Sequence, residues 1–151
     1  TSRESVGAMS DIVWAINPQK DSLADMVRRM RQHTQEVFLD KAISVTFKSA
    51  GDERDLKLSM DVRRELYLIS KEALNNAVKY SACGNVQIFF GIDRKALVME
   101  VEDDGRGFDT ANDSNGNGLR NIRSRAERIG ADLSIESKVG EGTRIGVRRP
   151  I

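Results

Sequence analysis

An apolar stripe in the second half of the chain ends in an acid. Across residues 97–103, every second side chain is Leu97, Met99, Val101 and then Asp103. Strand alternation therefore puts the carboxylate on the face of three core residues. Desolvating an unpaired charge is costly, so this acid needs partners or a ligand. The strand cannot continue beyond it. Asp104-Gly105-Arg106-Gly107 comes next, then a polar, glycine-rich run to Gly116-Asn117-Gly118, where a helical pattern begins. At Gly105 and Gly107 the backbone can approach a ligand closely or adopt positive φ. A plain turn led by an acid gives the same local pattern, because Asp-Gly is common in turns.

The flanking segments are those of a sheet with helices. Val86, Ile88, Phe90 and Ile92 alternate as a strand, and a turn near Asp93-Arg94-Lys95 leads into the strand that carries Asp103. Leu119 to Ile129 is helical and stops at Gly130. Leu133 and Ile135 mark a further strand. Gly140-Glu141-Gly142 turns into a last strand with Thr143, Ile145 and Val147 on one face. Upstream, Asp61–Tyr80 is the best helix in the chain, with Val62, Leu66, Ile69, Ala73 and Ala77 as its buried stripe. Before it, Ile43, Val45 and Phe47 alternate as a strand, and Asp55–Ser59 is expected as a short second one. Two helical patterns open the chain. One covers residues 2–16 and stops at Asn17-Pro18. The other is capped by Asp21 or Ser22 and buries Leu23, Met26, Val27, Met30, Val37 and Phe38.

Paired strands with short turns and intervening helices imply an α/β (α+β) two-layer sandwich: a mainly antiparallel mixed sheet with helices on one face, preceded by two N-terminal helices. The boundary candidate is near Lys41–Ala42, dividing a helical segment, 1–41, from a sheet domain, 42–151. Lys and Arg total 24 against 23 Asp and Glu, a net charge of +1, which argues against a broad nucleic-acid surface. Cys83 stands alone, which excludes a disulfide framework or a cysteine metal site. No apolar run spans a membrane. The chain begins within a helical pattern and without Met, as expected for a piece of a longer protein.

Thr143 starts the last strand on its inward face. Beside Asp103 it would make a polar floor in an apolar pocket, able to read an amino group and a ring nitrogen as on adenine. A strand Thr bonded to its own turn is the bland alternative. At 100° per residue, Glu72, Asn76 and Lys79 fall within about 60° of one another on the helix 61–80, and Glu65 shares that flank. An acid, an amide and a lysine on one rim suit a magnesium–phosphate complex. A solvated helix face would look the same. Gly116-x-Gly118 precedes a helix, whose free N–H groups could meet phosphate. Arg120 and Arg123 sit at that helix start, where positive charge opposes the macrodipole and a phosphate would relieve the conflict. Arg125 and Arg128 read as surface arginines of an amphipathic helix.

Four blocks thus occur in order: Glu72-Ala-Leu-Asn-Asn76-Ala-Val-Lys79-Tyr80, Asp103-x-Gly105-x-Gly107-Phe108, Gly116-x-Gly118-Leu119, and Gly140-x-Gly142-Thr143. They resemble the N, G1 and G2 boxes and final Gly-Thr of the Bergerat-fold (GHKL) ATPases. The wording around Asn76 and the short loop between glycine boxes are most similar to bacterial sensor histidine kinases. Gly118-Leu119-Arg120-Asn121-Ile122-Arg123-Ser124-Arg125-Ala126 resembles the subfamily that pairs with helix-turn-helix response regulators.

The resemblance implies ATP and Mg²⁺ as ligands. Asp103 would bind the adenine amino group, and Thr143 would assist through water. Asn76 would hold Mg²⁺. Lys79 and Tyr80 would contact phosphates or ribose. Gly105, Gly107, Gly116 and Gly118, with Leu119 and Arg120 behind them, would shape the nucleotide loop, and Asp109–Gly118 would be a mobile lid. Glu72 matches the hydrolytic base of the gyrase branch, and here it would orient Mg²⁺-bound water. Catalytic work would fall to Glu72, Asn76 and Lys79. Residues 2–16 would end a dimerisation helix, and the next helix would join it to the ATP domain. The phosphoacceptor helical domain and a response regulator would be partners. The parent would be a membrane-anchored homodimer, with this segment cytoplasmic and touching neither membrane nor nucleic acid. His33, the one histidine, lies outside any phosphoacceptor context and reads as structural. Two rivals share these residues: an anti-sigma-type serine kinase of the same fold, and a nucleotide-binding regulatory module without phosphotransfer.

Overall fold

The computed structural model describes residues 22–51, 56–80, 82, 84–107 and 116–151. In chain order these form α1 (Leu23–Phe38), β1 (Ser44–Lys48), α2 (Met60–Tyr80), β2 (Asn85–Asp93), β3 (Ala96–Asp103), α3 (Gly116–Arg128), β4 (Asp132–Ser137) and β5 (Thr143–Pro150). The helix expected over 2–16, its stop at Asn17-Pro18, Cys83, and residues 109–115 of the expected lid lie outside the described residues, while the lid's last three, 116–118, form the start of α3.

The strands form one sheet in the order β1-β2-β3-β5-β4. β1 and β2 are parallel, because α2 crosses over between them. The other pairs are antiparallel, so the sheet is mixed and mainly antiparallel, as expected. The β2–β3 hairpin turns on Arg94 and Lys95, with φ of 50° and 61°. This type of turn normally recruits Asn-Gly. Here the Arg148 guanidinium donates to the carbonyls of Asp93 (3.2 Å) and Arg94 (3.1 Å) and braces it.

The helices cover one face. Val86, Ile88 and Phe90 of β2, Leu97, Met99 and Val101 of β3, and Ile145 and Val147 of β5 pack against Leu66, Ile69 and Ala73 of α2 and Leu119, Ile122 and Ala126 of α3. Each large side chain so buried contributes about 1.5–3 kcal/mol. On the other face Arg144 donates to Glu100 at 2.9 Å, an exposed pair of little energetic weight. α1 joins the same core through Leu23, Met26, Val27, Met30 and Phe38. Ser22 caps it, accepting from the Asp25 N–H at 3.2 Å. α3 ends as expected: Gly130 takes φ of 65°, and Ala131 N–H reaches the Ala126 carbonyl at 3.0 Å.

One expected strand does not form. In the segment 55–59, residues 56–59 are described, and they make a single bridge, Lys57 to Ser22. The Leu56 carbonyl accepts from Leu23 N–H at 2.9 Å, so this backbone is used by the start of α1 rather than by the sheet. Leu58 enters the core, and Ser59 then caps α2, accepting from Val62 N–H at 3.3 Å.

His33 of α1 is 7 % exposed, its ring 5.4 Å from that of Tyr67 on α2. Its Nε2 has no hydrogen-bond partner among the described residues. Burial, aided by Lys71 and Arg29 and opposed by Glu36, lowers its pKa from 6.5 to about 4. The folded state therefore stays unprotonated at pH values where the unfolded chain takes up a proton. Stability should fall as pH drops from 6.5 towards 4, by up to about 3 kcal/mol from this group. Urea denaturation of His33→Phe should show a smaller loss between pH 7.5 and 5 than the parent. Equal losses would contradict the assignment.

Candidate functional site

The site begins where β3 ends and β5 begins. Asp103 and Thr143 are direct cross-strand partners, both half-buried on the helix-facing side. The Gly105 N–H donates to Asp103 Oδ1 at 2.9 Å, and the Thr143 N–H also donates to this carboxylate. Burial pushes the Asp103 carboxyl above its ordinary value, and the neighbouring Asp104 charge adds to this. The two N–H donors pull the other way, and burial dominates. This is an acceptor held in position by backbone, with capacity left for a ligand.

β4 adds a residue that was not anticipated. The Ser137 hydroxyl lies 2.8 Å from Thr143 Oγ1 and donates to the Gly142 carbonyl at 3.1 Å. The alternation Leu133, Ile135, Ser137 carried the signal for it. Asp103, Thr143 and Ser137 so make a polar floor drawn from three strands. They line an open cleft of about 550 Å³ at this end of the sheet, together with Ile135, Lys138 and Gly142 and with the exposed Glu102, Glu136 and Arg144.

Backbone closeness holds the floor together. Gly142 has φ of 82°, and a Cβ on it would overlap the Asp103 carbonyl oxygen. The segment after β3 rests on the β4–β5 turn: Gly107 packs on the Lys138 carbonyl, and Gly140 N–H donates to the Arg106 carbonyl at 2.6 Å. Asp104 faces the opposite way from Asp103. Its carboxylate accepts from Asn85 Nδ2 at 2.7 Å and from the N–H groups of Asn85 and Gly84 at 2.9 Å each. These bonds, that of the Asn85 side chain first, hold it below the usual carboxylate range. Asp104 thereby hooks the end of β3 to the start of β2.

α2 supplies the rim. Glu72 and Asn76 are half-buried, Lys79 is exposed, and Tyr80 closes the helix. Gly116 opens α3, and Gly118 in its first turn lies against the rim. A Cβ on Gly118 would stand 2.8 Å from Glu72 Oε1 and 3.4 Å from Asn76 Nδ2. Gly118 thus permits a close helix–helix approach. Leu119 is 5 % exposed and packs in the core, while Arg120 and Arg123 are exposed. Among the described residues no group of three His, Cys, Asp or Glu could hold a metal. Glu72 and Asn76, one turn apart on α2, both lie against Gly118 and each carries a side-chain oxygen. That sparse set fits Mg²⁺, which keeps several waters and takes phosphate oxygens.

Glu65 lies on the Glu72 flank as expected, but α3 covers it, and it is 2 % exposed. Arg125 Nη1 donates to Glu65 Oε2 at 3.0 Å. Arg64 and Arg128 stand 3.5 and 3.6 Å from Oε1. The reading of Arg125 as a surface residue is therefore corrected: its partner is an acid sixty residues away in sequence, which local pattern cannot show, while Arg128 is exposed as expected.

The fold is a mixed sheet carrying a half-buried strand-end acid, backed by a helix bearing an acid–amide–lysine rim. Residues 61–151 match the family model of histidine kinase-, DNA gyrase B- and HSP90-like ATPases, and the chain belongs to that family. Sensor protein VraS of Staphylococcus haemolyticus is 30% identical over 118 residues, covering 78% of this chain and 34% of that protein. Sensor histidine kinase LiaS of Bacillus subtilis is 34% identical over 101 residues, 66% of this chain and 28% of that protein. The chain spans about a third of the length of these curated relatives. The histidine kinase domain of the Erythrobacter litoralis EL346 blue-light activated histidine kinase superposes with a TM-score of 0.70 at 26% identity, covering 85% of this chain and 65% of that one. The catalytic domain of histidine kinase ThkA shares the fold, with a TM-score of 0.67 at 15% identity over 85% of this chain and 93% of that one.

Proposed function

We propose that this chain is the ATP-binding catalytic domain of a bacterial sensor histidine kinase, and that it supplies the γ-phosphate for a histidine on a separate helical dimerisation domain. The observation that carries the reading is the seating of Gly118 on Glu72 and Asn76. It brings a helix N-terminus, suited to phosphate, onto a rim suited to a metal–phosphate complex.

Asp103 accepts from the adenine amino group, with Thr143 and Ser137 reading the ring through water. Glu72 and Asn76 would hold Mg²⁺, which when bound offsets phosphate charge. Lys79, exposed in the last turn of α2, adds a further positive charge for the phosphates. Tyr80, Gly105, Gly107, Gly116 and Arg120 border the ribose and phosphates. Phosphoryl transfer of this kind asks for positioning and charge neutralisation more than covalent chemistry. The acceptor lies elsewhere in the parent, since His33 is buried against Tyr67.

The division at residues 41 and 42 is then one of function, with α1 a connecting helix packed on the ATP domain. A downstream response regulator, a homodimeric parent and a cytoplasmic position complete the proposal. No helix among the described residues is long and apolar enough to cross a membrane. Incubation with radiolabelled ATP tests it. The chain should bind nucleotide and stay unlabelled until a helical domain bearing a phosphoacceptor histidine is added. Label on His33, or no transfer to any such domain, would overturn the proposal.

A further inference from the structure

α2 and α3 touch at two points on one seam. At one, Gly118 meets Glu72 and Asn76. At the other, Arg125 meets the buried Glu65. Both points are spaced by seven residues on both helices: 65 to 72 on α2, and 118 to 125 on α3. Seven residues turn a helix by about 700°, close to two full turns, and advance it by about 10.5 Å. Glu65 and Glu72 therefore share one face of α2, and Gly118 and Arg125 share one face of α3. The order of the contacts makes the helices antiparallel.

We infer that the Glu65–Arg125 ion pair is the positioning device for the phosphate end of the site, setting the register and rotation of α3 so that its first turn lies on Asn76. This rests on the nucleotide reading above. The apolar stripe of α3, Leu119, Ile122, Ala126 and Ile129, sets which side of the helix meets the core, but a broad apolar face tolerates small turns and shifts that would move its first turn off Asn76. A guanidinium–carboxylate bond is directional. A one-residue slip would turn α3 by about 100° and break both contacts at once. Arg64 and Arg128 lie farther from Glu65 and offset its charge without supplying that direction.

The test compares Mg-ATP with adenosine by calorimetry on the full chain, in Arg125→Met, Arg125→Lys and the double variant Glu65→Gln/Arg125→Met. Adenosine reports the Asp103 floor, and the ATP phosphates report the α3 end. The double variant leaves no unpaired buried charge, so it keeps the test valid if the single variant unfolds. Mg-ATP should weaken by roughly tenfold or more in Arg125→Met and the double variant, with adenosine within about twofold, and Arg125→Lys should recover part of the loss. A purely structural pair would weaken both ligands alike. Equal weakening, or unchanged Mg-ATP affinity in the folded double variant, would overturn the inference. Failure of the unaltered chain to bind either ligand would instead overturn the nucleotide reading.

Discussion

Asp103→Asn is expected to weaken nucleotide binding by roughly 10- to 150-fold, the worth of about 1.5–3 kcal/mol for a hydrogen bond to a charged group. The direction follows from the donors already in place. The N–H groups of Gly105 and Thr143 both point at this carboxylate. An asparagine would give its oxygen to them and turn its amide nitrogen into the cleft. A donor would then face the amino group of adenine, which is itself a donor. Folding should not suffer. Burial raises the Asp103 pKa above its unfolded value, so the ionised carboxylate opposes folding at neutral pH, and its removal is neutral or stabilising. For the same reason, affinity of the unaltered chain should decline on acidification at a higher pH than an ordinary aspartate would require. Calorimetry with a non-hydrolysable Mg-ATP analogue, beside a melting curve, checks both parts. Unchanged affinity in a folded Asp103→Asn variant would remove the central assignment.

Gly142→Ala is expected to lose both stability and binding, whereas Gly140→Ala, two residues away in the same turn, keeps binding. Both glycines have positive φ, 82° and 83°. A Cβ at 140 meets nothing within 4 Å. Its cost is the left-handed strain alone, about 1–2 kcal/mol. A Cβ at 142 overlaps the carbonyl oxygen of Asp103, a backbone atom that cannot rotate aside. β5 must then move away from β3 at the residue pair that forms the floor, costing about 3–5 kcal/mol in all. Denaturant titrations measure the stabilities, and nucleotide titration of the folded fraction measures the site. Equal behaviour of the two variants would show that the close approach at Gly142 does not matter.

Much of this site was legible because two local periods report which side chains face inward. Alternation through Leu97, Met99 and Val101 put Asp103 on the core face, and pairing with Thr143 agrees. Helical spacing put Glu72 and Asn76 on one flank, where both now face Gly118. The same periods failed where local pattern competed with a distant partner. Residues 55–59 had the look of a short strand, but α1 claimed their backbone. Arg125 had the look of a solvated residue, but α3 lies over Glu65.

What the sequence determined by itself was therefore the inventory: the described helices and strands in order, the segment 55–59 excepted, the inward phase of Asp103, Thr143, Glu72 and Asn76, and the glycine blocks that mark the turns. Tertiary structure decided the neighbours. It inserted β5 between β3 and β4, joined Ser137 to the floor, gave Asp104 to β2, and set α3 on α2 at two points seven residues apart. Side-chain phase follows from the backbone of a single segment, so it can be read along one dimension. Strand order, backbone overlap at Gly142 and the Glu65–Arg125 bond depend on which segments meet in space, and that is settled only when the whole core closes.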